Sequence, residues 1–397
     1  MTRDQLPAFS ERYPLSAVRS LLGTLYPVFV PFKDFLGNEP TVRHLRESLA
    51  AQRLPHSLIL AGPRGSGKYT LAIMLAQAAN CLNPQTSDNL PDFCGHCSNC
   101  QRIGQSLDLD ARVAEAIATR EDMRDADKRD TRILIQTHPD VLVIPPDPPQ
   151  LLIKIGQVRV LTREIYRVPA EARRAFSIFT SAAFMKEAAN SLLKILEEPP
   201  AHATIILLAE NTGELLPTIR SRAGIFRLGA IPTDQIEKLL AERRPQTKPA
   251  ERALIARLSE GAIGRALGFD LAAYLASRAD ALVLLRNASG QNDASDLFHV
   301  TETYRAGAEG QEKTEVLLRA ASSLLEDLLL LKSETPQLVR NIDIQRELAS
   351  MATAVTFDWI EAAARGLRQV ESGMRRNLLR SLALDSFAAQ LSGAAQL

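Results

Sequence analysis

An octapeptide constrains the fold of this 397-residue chain more than any other feature. Gly62-Pro63-Arg64-Gly65-Ser66-Gly67-Lys68-Tyr69 follows the pattern G-x-x-x-x-G-K-[ST] up to its last position. Ahead of it, Ser57-Leu58-Ile59-Leu60-Ala61 is a short apolar run that reads as a buried strand. Behind it, Thr70 to Ala79 is rich in good helix formers. In strand, glycine loop, helix, the backbone N–H groups and the helix N-terminus cradle phosphates. An α/β domain built on a P-loop is therefore expected, with Gly62, Gly65, Gly67 and Lys68 as candidate nucleotide contacts. The last position departs from the pattern. A small hydroxyl there would hold Mg²⁺, and the phenol of Tyr69 carries its oxygen too far from the backbone to do so.

The length predicts two or three domains. With 46% hydrophobic and 23% charged residues the composition is that of a globular chain. A formal net charge of +1 gives no global field, so any contact with nucleic acid must be local. No apolar run reaches the length of a membrane span. The start, Met1-Thr2-Arg3-Asp4-Gln5, lacks the apolar stretch of a secretory leader, which sets a cytoplasmic expectation.

All four cysteines, Cys81, Cys94, Cys97 and Cys100, fall in one stretch spaced C-x₁₂-C-x₂-C-x₂-C. A Cys-x₂-Cys turn lets two thiolates converge on one ion, and in a cytosolic chain such clustering favours metal over disulfides. A tetrahedral, structural Zn²⁺ site on a small knuckle is expected, with His96 a substitute ligand only if a cysteine is lost.

A hydrolysing P-loop protein also needs a strand ending in Asp-Glu, the Asp for the Mg²⁺ shell and the Glu for the attacking water. The candidate strand, Ala175-Phe176-Ser177-Ile178-Phe179, runs instead into Thr180-Ser181-Ala182-Ala183. Three metal-handling positions, Tyr69, Thr180 and Ser181, are thus altered on two separate segments. Hydrolysis is expected to be absent, while Lys68 and the loop backbone still suit phosphate.

Further along, the segment Lys186-Glu187-Ala188-Ala189-Asn190-Ser191-Leu192-Leu193-Lys194-Ile195-Leu196-Glu197-Glu198-Pro199-Pro200 closely resembles the one after the second Walker motif in bacterial clamp-loader subunits of the AAA+ family. Leu216-Pro217-Thr218-Ile219-Arg220-Ser221-Arg222-Ala223 looks like their Ser-Arg-Cys motif, with Ala223 in place of Cys. Leu54-Pro55-His56-Ser57, His138-Pro139-Asp140 and the four-cysteine module also match, and Gly261 to Leu267 resembles their sensor-2 segment. The likeness covers roughly residues 33 to 270. It implies an α/β P-loop AAA+ domain with an inserted zinc knuckle, then a small helical domain and an all-α collar domain. It also implies a subunit of the DNA polymerase III holoenzyme, a DNA-directed DNA polymerase, in a pentameric ring with tau/gamma and delta neighbours, the sliding clamp and primed DNA as partners. ATP or ADP is a further candidate ligand. The tau/gamma motor branch keeps Asp-Glu. The altered positions, with Ala209-Glu210-Asn211 where a motor carries a small hydroxyl, align this chain with the branch whose nucleotide motifs are degenerate. The resemblance gives Arg222 the role of an arginine finger donated in trans. It leaves Arg265 either a phosphate sensor in cis or a packing residue.

The expected domains are an N-terminal extension over 1–30, the AAA+ domain over 31–230, a helical lid over 231–275 and a collar over 276–397. Residues 1–30 are either a short helix (Leu15 to Tyr26) or a loosely held tail. The AAA+ domain includes the zinc module 81–100 and a charged insertion 106–136, in which Leu109, Val113 and Ile117 recur every four residues. That insertion reads as a solvated helix or mobile insertion, or as a partner-docking helix. Pro145 to Pro149 is a stiff turn, and the leucines from Leu324 to Leu331 read as core or subunit interface. Three functions compete: an assembly subunit lacking its own hydrolysis, an active motor drawing a carboxylate such as Glu210, and a zinc-stabilised nucleotide switch.

Overall fold

The computed structural model describes residues 31–124, 127–128, 131–148, 150–290, 294–304, 307–374 and 380–394. The expectations for residues 1–30 and for parts of the charged insertion (125–126 and 129–130) lie outside them. Contacts divide the described chain into two units, one of residues 31–232 with 260–265 and one of 233–259 with 266–394.

The first unit is built on a six-stranded sheet in the order β4-β5-β6-β7-β1-β8. Its strands are β1 (Ser57–Ala61), β4 (Ile135–His138), β5 (Val141–Ile144), β6 (Ala175–Phe179), β7 (Ala203–Ala209) and β8 (Gly224–Arg227), and a separate hairpin holds β2 (Gln85–Ser87) and β3 (Leu90–Asp92). Every pairing in the large sheet is parallel except that of the edge strand β4 with β5. Strands covered on both faces need unbroken apolar runs, and β1, β5 and β7 are buried at every residue. Side chains alternate between the faces. Leu58 and Leu60 of β1 join a core with Leu71, Ile73 and Leu75, while Ile59 and Ala61 join a second core with Val158, Leu192 and Ile195.

The helices of this unit are α1 (Glu39–Ala50), α2 (Lys68–Asn80), α3 (Ser98–Gly104), α4 (Leu109–Glu121), α5 (Ile155–Glu164), α6 (Lys186–Glu197) and the single turn α7 (Pro217–Arg220). The strands expected at 57–61 and 175–179 occupy those residues. The charged insertion contributes α4, started by Asp108, whose carboxylate accepts from Ala111 N at 3.2 Å. Leu109 and Val113 pack on the sheet core. Arg120 donates to the fully buried Asp147 at 2.6 Å, which ties the helix to the proline-rich turn. No residue of α4 is fully buried, as in the solvated-helix alternative, and these contacts tie one face of it to the sheet unit.

The second unit is helical: α8 (Thr233–Arg243), α9 (Pro249–Leu258), α10 (Ile263–Leu267, which begins in the first unit), α11 (Leu271–Ala288), α12 (Ala294–Glu302), α13 (Gly307–Lys332), α14 (Gln345–Ala354), α15 (Phe357–Met374) and α16 (Arg380–Ala394). The boundary expected after residue 275 falls inside α11, which runs unbroken to Ala288. Leu324, Leu325 and Leu328 are core and Leu329 is exposed. A buried polar cluster pins the loop ahead of α14. Asn341 donates to Asp327 at 2.8 Å and accepts from Tyr274 at 2.9 Å, while Arg278 forks onto Asp343 at 2.7 and 2.5 Å. Among the described residues no helix is long and apolar enough to cross a membrane.

Candidate functional site

The glycine loop leaves the C-terminal end of β1 and enters α2. Gly65 and Gly67 hold φ of 83° and 87°, which only glycine adopts without strain. Space forbids side chains here too. A Cβ on Gly62 would lie 2.4 Å from the Leu228 carbonyl oxygen, and one on Gly67 would lie 3.0 Å from the Phe35 ring. The Gly65 carbonyl accepts from Gly264 N at 2.8 Å, so the segment expected as sensor 2 sits on the loop through its backbone. The guanidinium of Arg265 is held by Glu260 at 3.0 Å.

Lys68 donates to the loop's own carbonyls, Gly62 O at 2.6 Å and Pro63 O at 2.8 Å. Burial pulls its ammonium below the usual lysine range, against the fields of Glu210 and Glu214. The Ser66 hydroxyl is buried without a hydrogen-bond partner. A loop with left-handed glycines, a lysine and an unsatisfied hydroxyl fits a phosphate group.

The three altered positions are engaged differently. Tyr69 donates to the Ser106 carbonyl oxygen at 2.6 Å, and the Ser106 hydroxyl meets Thr137 Oγ1 at 2.7 Å. Burial, followed by the charge of Asp110, pushes the phenol well above its ordinary pKa, so it stays protonated. It is a structural tie between α2 and the segment leading into α4. At the end of β6, Thr180 N donates to Ile144 O at 3.1 Å and Ser181 Oγ accepts from Ala183 N at 3.1 Å. The Tyr69 and Ser181 side chains are engaged on backbone groups, and none of the three altered positions offers a carboxylate.

At the other end of α2, Cys81 meets Cys94, Cys97 and Cys100 with all four Sγ atoms within 4.8 Å of one another. Sγ of Cys81 lies 3.5 Å from that of Cys94 and 4.0 Å from that of Cys97. Four thiolates at ~2.3 Å from one Zn²⁺ would be about 3.8 Å apart, so the set fits a tetrahedral ion. Burial works against a thiolate at Cys97, yet the N–H groups of Cys100 and Leu82 bring it down to about 6, whereas burial pushes Cys100 up. The twelve residues between the first two cysteines fold into the β2–β3 hairpin, turned by Asp88 and Asn89 at positive φ. Arg46 holds it from α1, donating to Pro91 O at 3.0 Å and Ser87 O at 2.6 Å. Two buried amides of α2 brace this end of the helix, one on the knuckle and one on the segment ahead of β6. Gln77 donates to Cys100 O at 2.9 Å, and Asn80 accepts from Arg173 N and Arg174 N at 3.1 and 3.0 Å.

Arg222 follows α7 on the surface. Its NH1 donates to Thr218 O at 2.9 Å and lies 3.3 Å from Ser221 Oγ, and its NH2 pairs with Glu197 Oε1 at 2.8 Å. Its side chain stays 35% exposed. The structure thus gathers Gly62, Gly65, Gly67, Lys68 and the backbone at Arg265 at one loop, the four cysteines at a second site, and leaves Arg222 facing solvent. Sequence reading missed Glu197 as its partner, although it ends a helix before Pro199-Pro200. It also missed Asp140 of the His-Pro-Asp motif. Burial alone would raise that carboxyl, but N–H groups of Glu171, Ala170 and Ala172 at 2.7 to 2.8 Å hold it below the usual range.

Comparison with known proteins bears on the same region. Residues 37–232 match the family model described as DNA polymerase III, delta subunit. DNA polymerase III subunit tau of Escherichia coli (strain K12) is 30% identical over 241 residues, 59% of this chain and 32% of the relative. The gamma subunit of Buchnera aphidicola subsp. Acyrthosiphon pisum is 29% identical over 210 residues, 53% of this chain and 48% of the relative. The chain spans a third to a half of these relatives. A gamma subunit-related protein of Thermotoga maritima aligns with a TM-score of 0.39 at 16% identity, covering 89% of this chain and 99% of that one.

Proposed function

The chain belongs to the clamp-loader AAA+ family, and on that premise we propose that it is a subunit of the delta-prime kind. It would be a hydrolysis-defective member of a pentameric ring with tau/gamma and delta neighbours. The ring would load a sliding clamp onto primed DNA, with Arg222 lent to an adjoining ATPase site. One observation carries this reading. Tyr69 and Ser181, at positions that would handle Mg²⁺, are spent on backbone contacts, while a guanidinium held by Thr218 O and Glu197 remains at the surface. A guanidinium supplied from a neighbour stabilises the charge that develops on a transferring γ-phosphoryl group.

The cysteine centre would hold structural Zn²⁺ through Cys81, Cys94, Cys97 and Cys100, with no position left open for chemistry. The P-loop would bind ATP or ADP without turning it over. DNA would be met by a groove of about 630 Å³ beside α5 and α6, lined by Arg132, Arg159, Arg163 and Lys194 and, among the described residues, by no acidic side chain. Four cations against a phosphate backbone provide affinity without sequence preference. The lid over 231–275 and the collar over 276–397 remain part of this proposal.

A second reading has its own support. The curated relatives carry the names tau and gamma, and the charges of Glu210 and Glu214 reach Lys68, where they oppose the larger downward pull of burial. An active motor would draw its missing carboxylate from there. DNA-stimulated ATPase of this chain alone, of the tau/gamma and delta subunits, and of all three together separates the two. A rate gained only when this chain joins the others, and lost in Arg222→Ala, is the expected result. Turnover by this chain alone would establish the motor instead.

A further inference from the structure

On the reading of Arg222 as a group donated to a neighbour, we infer that Glu197 is its positioning residue. It holds the guanidinium aimed and charge-balanced at the subunit edge until the γ-phosphate of a neighbour's ATP takes the carboxylate's place. Both sides of the pair stand on rigid bases. Glu197 closes α6, whose Ala188, Ala189, Leu192, Ile195 and Leu196 are buried in the core and whose path is stopped by Pro199-Pro200. Arg222 follows α7, which is seated by the buried Ile219. Its NH1 is fixed by Thr218 O at 2.9 Å, so the 2.8 Å contact to Glu197 sets the remaining freedom of the guanidinium plane.

Fold stability does not explain the pair. Glu197 puts a carboxylate at the C-terminal end of a helix, where the free carbonyls already make a negative pole. With side-chain exposures of 35% and 51% the ion pair is a surface one, of a kind that contributes little to folding. What it does supply is pre-organisation. An arginine has five N–H donors in a rigid fork, so donors remain for an incoming phosphoryl oxygen while Thr218 keeps hold of NH1. A phosphate carries more charge than the carboxylate and accepts bidentate bonds, so it displaces Glu197 as the two subunits close. The guanidinium then meets the transition state without a search through rotamers.

The test uses the reconstituted complex with Glu197→Ala, Glu197→Gln, Arg222→Ala and the double variant, reading kcat and KM for ATP. Glu197→Ala should lower kcat about tenfold, within the ~100-fold that a misplaced group costs, and leave KM unchanged. Glu197→Gln keeps an acceptor oxygen at the same reach and should recover most of the rate. In the Arg222→Ala background, Glu197→Ala should add nothing. All four isolated chains should melt at the wild-type temperature. A wild-type kcat for Glu197→Ala while Arg222→Ala is slow would overturn the role of Glu197 alone. So would an equal loss with Arg222 already removed. A wild-type rate for Arg222→Ala would overturn the donated arginine itself, and Glu197's role with it.

Discussion

The two ends of helix α2 have had opposite fates. At its C-terminal end, Gln77, Asn80 and Cys81 are all buried, their polar atoms are paired, and four thiols converge on one point. At its N-terminal end, Lys68 turns back on its own loop, the Ser66 hydroxyl has no partner, and Tyr69 reaches away to Ser106. One helix thus joins four clustered thiols that could hold a metal ion to a glycine loop beside which the altered positions offer no carboxylate. The lesson is that a P-loop can be kept for its architecture. β1 lies between β7 and β8 and supplies residues to both cores, and α2 packs in one of them, so replacing the loop and its flanks would disturb both.

The largest effect should come from breaking the completed end. Removing metal with a strong chelator, or replacing a ligand by Cys97→Ser, leaves buried thiols facing one another and frees the hairpin. A site saturated about 1,000-fold above its Kd contributes ~4 kcal/mol to stability, so a loss of at least that size is expected in urea unfolding of the metal-free protein. Metal analysis of the purified chain should give one Zn²⁺ per chain. A metal-free chain of undiminished stability would remove the contrast between the two ends.

A smaller effect should follow at the other end. Tyr69→Phe removes the hydrogen bond to Ser106 and leaves the ring packed, for a loss of ~1 kcal/mol. ATP hydrolysis by the complex should not change, because the hydroxyl is engaged on a backbone carbonyl away from the phosphate loop. Urea midpoints and steady-state rates of the same preparations read both quantities. A changed hydrolysis rate with unchanged stability would put Tyr69 back into nucleotide chemistry.

What the sequence made legible followed from local pattern. Ser57–Ala61 and Ala175–Phe179 were visible as strands because parallel strands buried on both faces are unbroken apolar runs. The cysteine cluster was visible because ligand spacing survives in one dimension. Contacts between distant segments were not. The pairing of Arg222 with Glu197 spans 25 positions, and the motif segment that includes Glu197 does not say what its carboxylate meets. The tie from Arg120 to Asp147 likewise needs the sheet in place before the proline-rich turn comes under α4. The boundary drawn at 275 has no local mark in the structure. Leu271 to Ala288 is helical throughout, started by Asp270 accepting from Ala273 N at 3.0 Å, and nothing near residue 275 breaks it.

Lys68→Ala should have the smallest effect and bears most directly on the comparison. In a working P-loop this lysine holds the β- and γ-phosphates, and its loss abolishes turnover. Here the ammonium is tied to Gly62 O and Pro63 O, and burial already disfavours its charge. If the N-terminal end of α2 is architectural, the variant should keep the ATPase of the assembled complex within about twofold of wild type, a change too small to be lost transition-state stabilisation. Any cost would then appear in folding or in affinity for a labelled ATP analogue at this loop. A loss of turnover comparable to that of Arg222→Ala would mean that Glu210 or Glu214 supplies the missing carboxylate. The two ends of α2 would then differ in chemistry while both remained at work.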